Sequence, residues 1–180
     1  NDVEDEVVDK LVNTVDKAMP KLTHRYYKWK ANQFDQTKLD WWDRNAPLPH
    51  SSKKIIQWSE ARDIILDSFS SFHPEISNIA KLFFKNNWID ASLRNGKASG
   101  AFSHPSVPSL HPYILVNYQG KIRDVMTLAH ELGHGVHQIL ARKNGLLMAE
   151  TPLTLAETAS VFGEMLVFRK LLDESPTEQK

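Results

Sequence analysis

No cysteine occurs among the 180 residues, which excludes a disulfide framework, a thiolate metal site and a cysteine nucleophile. Neither sign of charge is in excess, with Lys plus Arg at 22 and Asp plus Glu at 22. That balance provides no basic field to hold nucleic acid or an anionic membrane. No apolar run approaches the ~18 residues of a membrane span. The start, Asn1-Asp2-Val3-Glu4-Asp5-Glu6, is acidic, the opposite of a signal peptide. A soluble, cytoplasmic protein with neither nucleic acid nor membrane as partner is the expectation. The chain opens at Asn1 rather than Met and stops in a charged stretch after a helix, so it reads as a piece of something longer. Hydrophobic residues at 41% and charged residues at 24% are ordinary globular usage, and the length suits one medium domain. With thiolates gone, any metal falls to histidine and carboxylate, and 8 His are present.

Periodicity makes the chain mainly α with a small β-region. Val8, Leu11, Val12, Val15 and Met19 recur at helical spacing, and Pro20 should bend or end that helix. Tyr26, Trp29 and Phe34 continue an apolar face and are expected in the core. Asn45-Ala46-Pro47-Leu48-Pro49 reads as a linker, because paired prolines continue neither helix nor sheet interior. Trp58, Ala61, Ile65, Phe69 and Phe72 mark an amphipathic helix, and Ile76, Ile79 and Phe83 a second one opening near Pro74. From 96 to 120 glycines, prolines and two short apolar stretches, Ala101-Phe102 and Tyr113-Ile114-Leu115-Val116, point to a hairpin or meander with 105–112 as its loop. A long helix then runs to about Lys143, Gly145 stops it, and a last helix covers about Pro152 to Asp173.

His130-Glu131-Leu132-Gly133-His134 is the strongest signal. On a helix the two histidines lie about 40° apart and one turn up, side by side. Two imidazoles so placed can share one tetrahedral Zn²⁺. Glu131 projects about 60° from His134, beside the metal, where it can reach a water as general base. Leu132, Val125, Val136 and Ile139 face the opposite way and give the helix an apolar back. His137 continues the histidine stripe but sits about 10 Å along the axis from His130. It cannot join the same ion, and a cleft-wall or supporting role and a plain surface histidine stand level.

A third ligand must come from a later element, since position 137 is not Gly and position 140 is not His, as a metzincin would need. Glu157 is the candidate. Its competing role is a capping box, Thr154-Leu155-Ala156-Glu157. Thr151-Pro152 looks like the better start, an N-cap followed by Pro at the first helical position, which frees Glu157 to project toward the zinc helix. Glu150 is the rival carboxylate but precedes the helix. Glu164 lies on the face of Glu157 two turns on. It could accept the second N–H of a ligand histidine or be a solvated charge.

Arg123-Asp124-Val125-Met126-Thr127-Leu128-Ala129-His130-Glu131-Leu132-Gly133-His134, followed by Glu157-Thr158-Ala159-Ser160-Val161-Phe162-Gly163-Glu164, resembles the oligoendopeptidase F branch of the thimet oligopeptidase family. Gly100-Ala101-Phe102-Ser103 and His111-Pro112-Tyr113-Ile114-Leu115-Val116-Asn117-Tyr118 are similar to the two β segments before its zinc helix, and Trp41-Trp42-Asp43-Arg44-Asn45-Ala46-Pro47-Leu48, more loosely, to its helical approach. The likeness spans nearly the whole chain and is most specific over 89–166. It implies a zincin-like (gluzincin) core that forms the central part of a larger helical enzyme. It implies one zinc ion on His130, His134 and Glu157, with Glu131 as general base, and short unstructured peptides as substrates cut at internal bonds. The 100–103 strand would border the cleft and pair with the peptide, making Gly100, Ala101, Phe102, His111 and Tyr113 candidate substrate contacts. Residues 1–88 would be a helical approach region, 89–120 a small β-region bordering the cleft, and 121–180 the zinc helix and third-ligand helix, together one incomplete catalytic domain. The missing N- and C-terminal parts of the same enzyme would be its partners.

Ala98 departs from the branch, which often has a basic residue there. The family's Tyr and His donors to the transition state lie beyond the third ligand and have no counterpart before Lys180. Within the chain only Tyr113, Tyr118, His111 and His137 could lend such a donor. Two competing readings stand beside the endopeptidase: a helical module whose zinc site is structural or empty, and another H-E-x-x-H hydrolase such as an exopeptidase.

Overall fold

The computed structural model describes residues 3–49 and 54–175. The chain divides into two units, Asn1–Lys53 and Lys54–Lys180.

In the first unit helix α1 (Asp5–Met19) runs into a π-helical turn (Pro20–His24) and then α2 (Arg25–Gln33). Pro20 therefore does not end the helix. Its missing N–H is absorbed by a widened turn, the usual accommodation where the i→i−4 ladder loses a donor. No residue of α1 is buried. Tyr26 and Trp29 stay 48% and 46% exposed, which corrects the expectation that this aromatic face is core. Periodicity marks a face that water disfavours, and within this unit little is present to cover it. Lys30 is buried instead, its Nζ donating to the Arg44 carbonyl at 2.8 Å in the 3₁₀ turn Trp41–Asn45.

The second unit builds the core. Helix α3 (Trp58–Phe72) and α4 (Pro74–Lys85) form at the expected places, with Pro74 opening α4. Phe69, Ile65 and Ala61 of α3, and Phe83 and Ala80 of α4, are wholly buried against Val125, Leu128 and Leu132 of α5 (Ile122–Ala141). The apolar back expected of α5 is thus its core face. Asp124 starts the helix by accepting from the Gln119 and Lys121 N–H groups at 2.8 and 3.0 Å. Gly145, at φ 83°, follows the 3₁₀ turn that continues α5. Helix α6 (Leu153–Glu174) has Pro152 as its N-cap, so Thr151 is one residue outside the position expected for it.

The β-region contains the expected hairpin, β2 (Phe102–His104) antiparallel to β3 (Tyr113–Leu115). A two-residue strand β1 (Ile89–Asp90) pairs parallel to β3 and was not foreseen. The order β1-β3-β2 leaves β2 as an edge strand. The sheet is tied by Lys97, whose side chain is 1% exposed. Its Nζ donates to the carbonyls of Asp90, Ser92 and Val116 at 2.9, 2.9 and 2.7 Å and to Asp90 Oδ1 at 3.1 Å. Hydrogen bonds from Arg94, and then from Lys97, hold the Asp90 carboxyl well below the usual carboxylate range. Among the described residues no helix is long and apolar enough to cross a membrane.

Candidate metal centre

Helices α5 and α6 cross on glycine. A Cβ placed on Gly133 would stand 2.7 Å from the Ala159 carbonyl oxygen and 2.8 Å from Ser160 Cα; one on Gly163 would stand 3.1 Å from the Ala129 carbonyl oxygen. Backbone therefore rests almost on backbone, and the short side chains of α6 reach α5. At this crossing His130, His134 and Glu157 place three ligand atoms within 4.8 Å of one another.

The contacts are specific. His130 Nε2 lies 3.3 Å from Glu157 Oε2, and His134 Nε2 lies 3.6 Å from Glu157 Oε1. Ligand atoms held ~2.0–2.2 Å from one tetrahedral ion stand about 3.3–3.6 Å apart, so the two histidine–glutamate separations are of the size one ion requires. The other ring nitrogen of His130 is also engaged, its Nδ1 facing Glu164 Oε2 at 3.2 Å. Outer partners of this kind fix the tautomer and direction of a metal-bound imidazole. Burial above all lowers the His134 pKa, favouring the neutral ring that a metal needs.

Glu157 is held from its own helix. Ser160, wholly buried, shares its one hydroxyl proton between Glu157 Oε2 at 3.0 Å and the Glu157 carbonyl at 3.1 Å. The sequence reading passed over Ser160, although its i+3 spacing from Glu157 is a signal that was present. Glu150 is not part of the cluster.

Glu131 is 6% exposed, and burial pushes its carboxyl up to about 7 despite the lowering effect of His130. The stability it gives the metal-free fold is therefore that of a neutral acid. It is fully present below the ordinary Glu pKa and lost as pH rises through about 7. Relative to the native protein, Glu131→Gln should gain melting temperature between about pH 4.5 and pH 8 without metal. A difference between the two that stays flat over that range would show the carboxyl is not forced neutral.

A cleft of about 530 Å³ opens beside the cluster, lined by His130, Glu131, Glu164, Gly100, Ala101 and Arg123 among others. Gly100 and Ala101 thus line the same cleft as His130 and Glu131. Phe102 and Tyr113 lie on β2 and β3, 48% and 51% exposed, and neither they nor His111 line that cleft. The His111 ring stacks on Trp88, centroids 4.1 Å apart and 6° from parallel. Tyr118 lines the cleft, yet its hydroxyl already donates to the Ile56 carbonyl at 2.8 Å. His137 lines a separate small apolar hollow with Phe69, Phe162 and Leu166.

Comparison with known proteins shows what the chain is similar to. Oligopeptidase PepF of Bacillus subtilis is 30% identical over all of this chain, which covers 27% of that protein. An oligoendopeptidase F homolog of Borreliella burgdorferi is 33% identical, again over the whole chain and 31% of its own length. A solved structure from Chlamydophila abortus superposes with a TM-score of 0.79 at 32% identity, over 98% of this chain and 29% of that one. PZ peptidase A, solved with an inhibitor, shares the fold at a TM-score of 0.78 and 19% identity, over 95% of this chain and 31% of that one. The chain spans less than a third of the length of these relatives. The resemblance to oligoendopeptidase F is borne out, and since peptidase family M3 matches from residue 1 through residue 180, this chain belongs to that family.

Proposed function

We propose that the chain carries the zincin-like core of a zinc endopeptidase that cuts internal bonds of short, unstructured peptides. The observation that supports this best is the convergence of His130, His134 and Glu157, with Glu131 buried beside them and a cleft at their side. His130, His134 and Glu157 would hold one Zn²⁺, which when bound would supply a Lewis acid that lowers the pKa of water toward ~7. The trio offers three protein ligands, the number of a catalytic zinc site rather than the four of a closed structural one.

The chain's own residues do the rest. Glu131 accepts the proton of the attacking water and returns it to the leaving amine, a task suited to a carboxylate buried beside the ligand trio but outside it. Glu164 fixes the His130 ring through Nδ1, and Ser160 fixes the Glu157 carboxylate. Gly100 and Ala101 wall the cleft where an extended peptide lies along the edge of β2. Tyr118, with its hydroxyl given to Ile56, is not free to serve as an oxyanion donor.

Metal analysis of purified variants tests the ligand set. Glu157→Ala should lower zinc affinity at least about 100-fold, as loss of a direct ligand exceeds the ~10–100-fold cost of an outer-shell change, while Glu150→Ala should leave it unchanged. The reverse pattern would refute Glu157 as the third ligand.

A further inference from the structure

Asn117 lines the cleft together with His130, Glu131 and Gly100, and the two ends of its side-chain amide are used differently. Its Nδ2 donates to the carbonyls of Ala98 and Gly100, both at 3.0 Å. An amide nitrogen carries two N–H donors and an amide oxygen none, so two carbonyl partners occupy both donors and settle which end is oxygen. The backbone beneath is fixed as well. Val116 and Tyr118, on either side of Asn117, donate their N–H groups to the Asp90 and Ala91 carbonyls at 3.0 and 3.1 Å.

The oxygen is left over. Asn117 Oδ1 accepts a hydrogen bond from no described residue. Asn117 is half-buried, and among the described residues no side-chain oxygen or nitrogen is both buried and without a partner. Its Oδ1 is therefore open to solvent on a residue of the cleft wall. The direction of this acceptor is settled before anything binds, so a donor that meets it demands little further ordering of the protein. A peptide main chain offers one such N–H at every residue except proline.

We propose that Asn117 is a substrate-binding residue whose Oδ1 accepts one main-chain N–H of the peptide, which excludes proline at that residue of the substrate. The proposal rests on the endopeptidase reading above. The hydrogen bonds to Ala98 and Gly100 aim the amide, and Asn117 itself touches the peptide.

The test uses the full-length protein, loaded with zinc, and an end-blocked peptide of about ten residues. The peptide is remade with each amide in turn replaced by an ester, which removes one N–H donor and changes the shape little. At one position away from the scissile bond, the ester should lower kcat/KM of the native protein about 3–10-fold, the usual net contribution of one neutral hydrogen bond. Proline at that residue should lower it at least as much. Asn117→Ala removes the acceptor, and the same ester should then have no further effect. Asn117→Asp keeps an oxygen acceptor but loses both donors to the Ala98 and Gly100 carbonyls, and there the ester should act as it does on the native protein. Zinc content should be unchanged in both variants. A residue that only braced the Ala98 and Gly100 backbone would lose the ester effect in both variants, and that result would overturn the proposal. An ester series in which no position depends on residue 117 would overturn it too. Should either variant fail to fold, the other decides by the same criterion. No peptide cleavage by the native protein would bring down the endopeptidase reading itself, and the proposal with it.

Discussion

Glu131→Gln in the full-length, zinc-loaded protein is expected to keep its metal and lose peptide hydrolysis by about 10²–10⁴-fold, the usual contribution of a positioned general base. The change removes one ionisable group and almost no volume. Glu131 lies outside the trio that can share an ion, so the amide should leave His130, His134 and Glu157 in place. An amide cannot take a proton from water near neutral pH, and that one loss is the expected effect. Because the site is buried and the native carboxyl is pushed up to about 7 without metal, the amide should also fold at least as well above neutrality. Loss of zinc together with activity would make Glu131 a ligand and the base assignment wrong. Retention of activity within tenfold would place the base elsewhere.

The second large effect is expected at Gly133. In an exposed helix interior, Gly→Ala is favourable by roughly 1 kcal/mol. Here the added methyl would press to 2.7 and 2.8 Å on backbone atoms of α6, which cannot rotate aside as a side chain would. Overpacking in a tight core costs typically 1–3 kcal/mol, so the clash wins over the propensity gain. The more telling consequence is geometric. Relief requires α6 to move off α5, which carries Glu157 away from His130 and His134. Gly133→Ala should therefore lower the melting temperature and weaken zinc binding at least tenfold, in line with disturbed support of a metal site. Zinc affinity equal to the native value in a folded Gly133→Ala protein would show that the crossing has slack and that α6 does not set the reach of Glu157.

The sequence by itself determined the histidine pair. Helical rotation alone puts His130 and His134 side by side and turns Leu132 and Val125 to the core, and that is local physics, settled within two turns of one helix. The helices around it, and the hairpin of β2 and β3, were legible for the same reason: period, proline and glycine act over a few residues. The carboxylate partner was half legible. Spacing on α6 puts Glu157 and Glu164 on one face. Only the approach of two helices brings Glu157 to the histidines and Glu164 to His130 Nδ1.

What the tertiary structure decided is set by long-range packing. The aromatic face of 26–34 has the periodicity of a core, yet Tyr26 and Trp29 are half exposed, because a pattern states that a face is apolar and not what lies against it. Strand β1 is two residues long, too short for alternation to reveal, and exists through its parallel bonds to β3. Lys97 reads as one more surface charge, but three carbonyls and a carboxylate converge on its ammonium, and such a cage is written in no local pattern. Gly133 is an unremarked position inside H-E-x-x-H until α6 comes to rest on it. Ligand chemistry is local and can be read along a helix; the distances that make it a site belong to the contacts between elements.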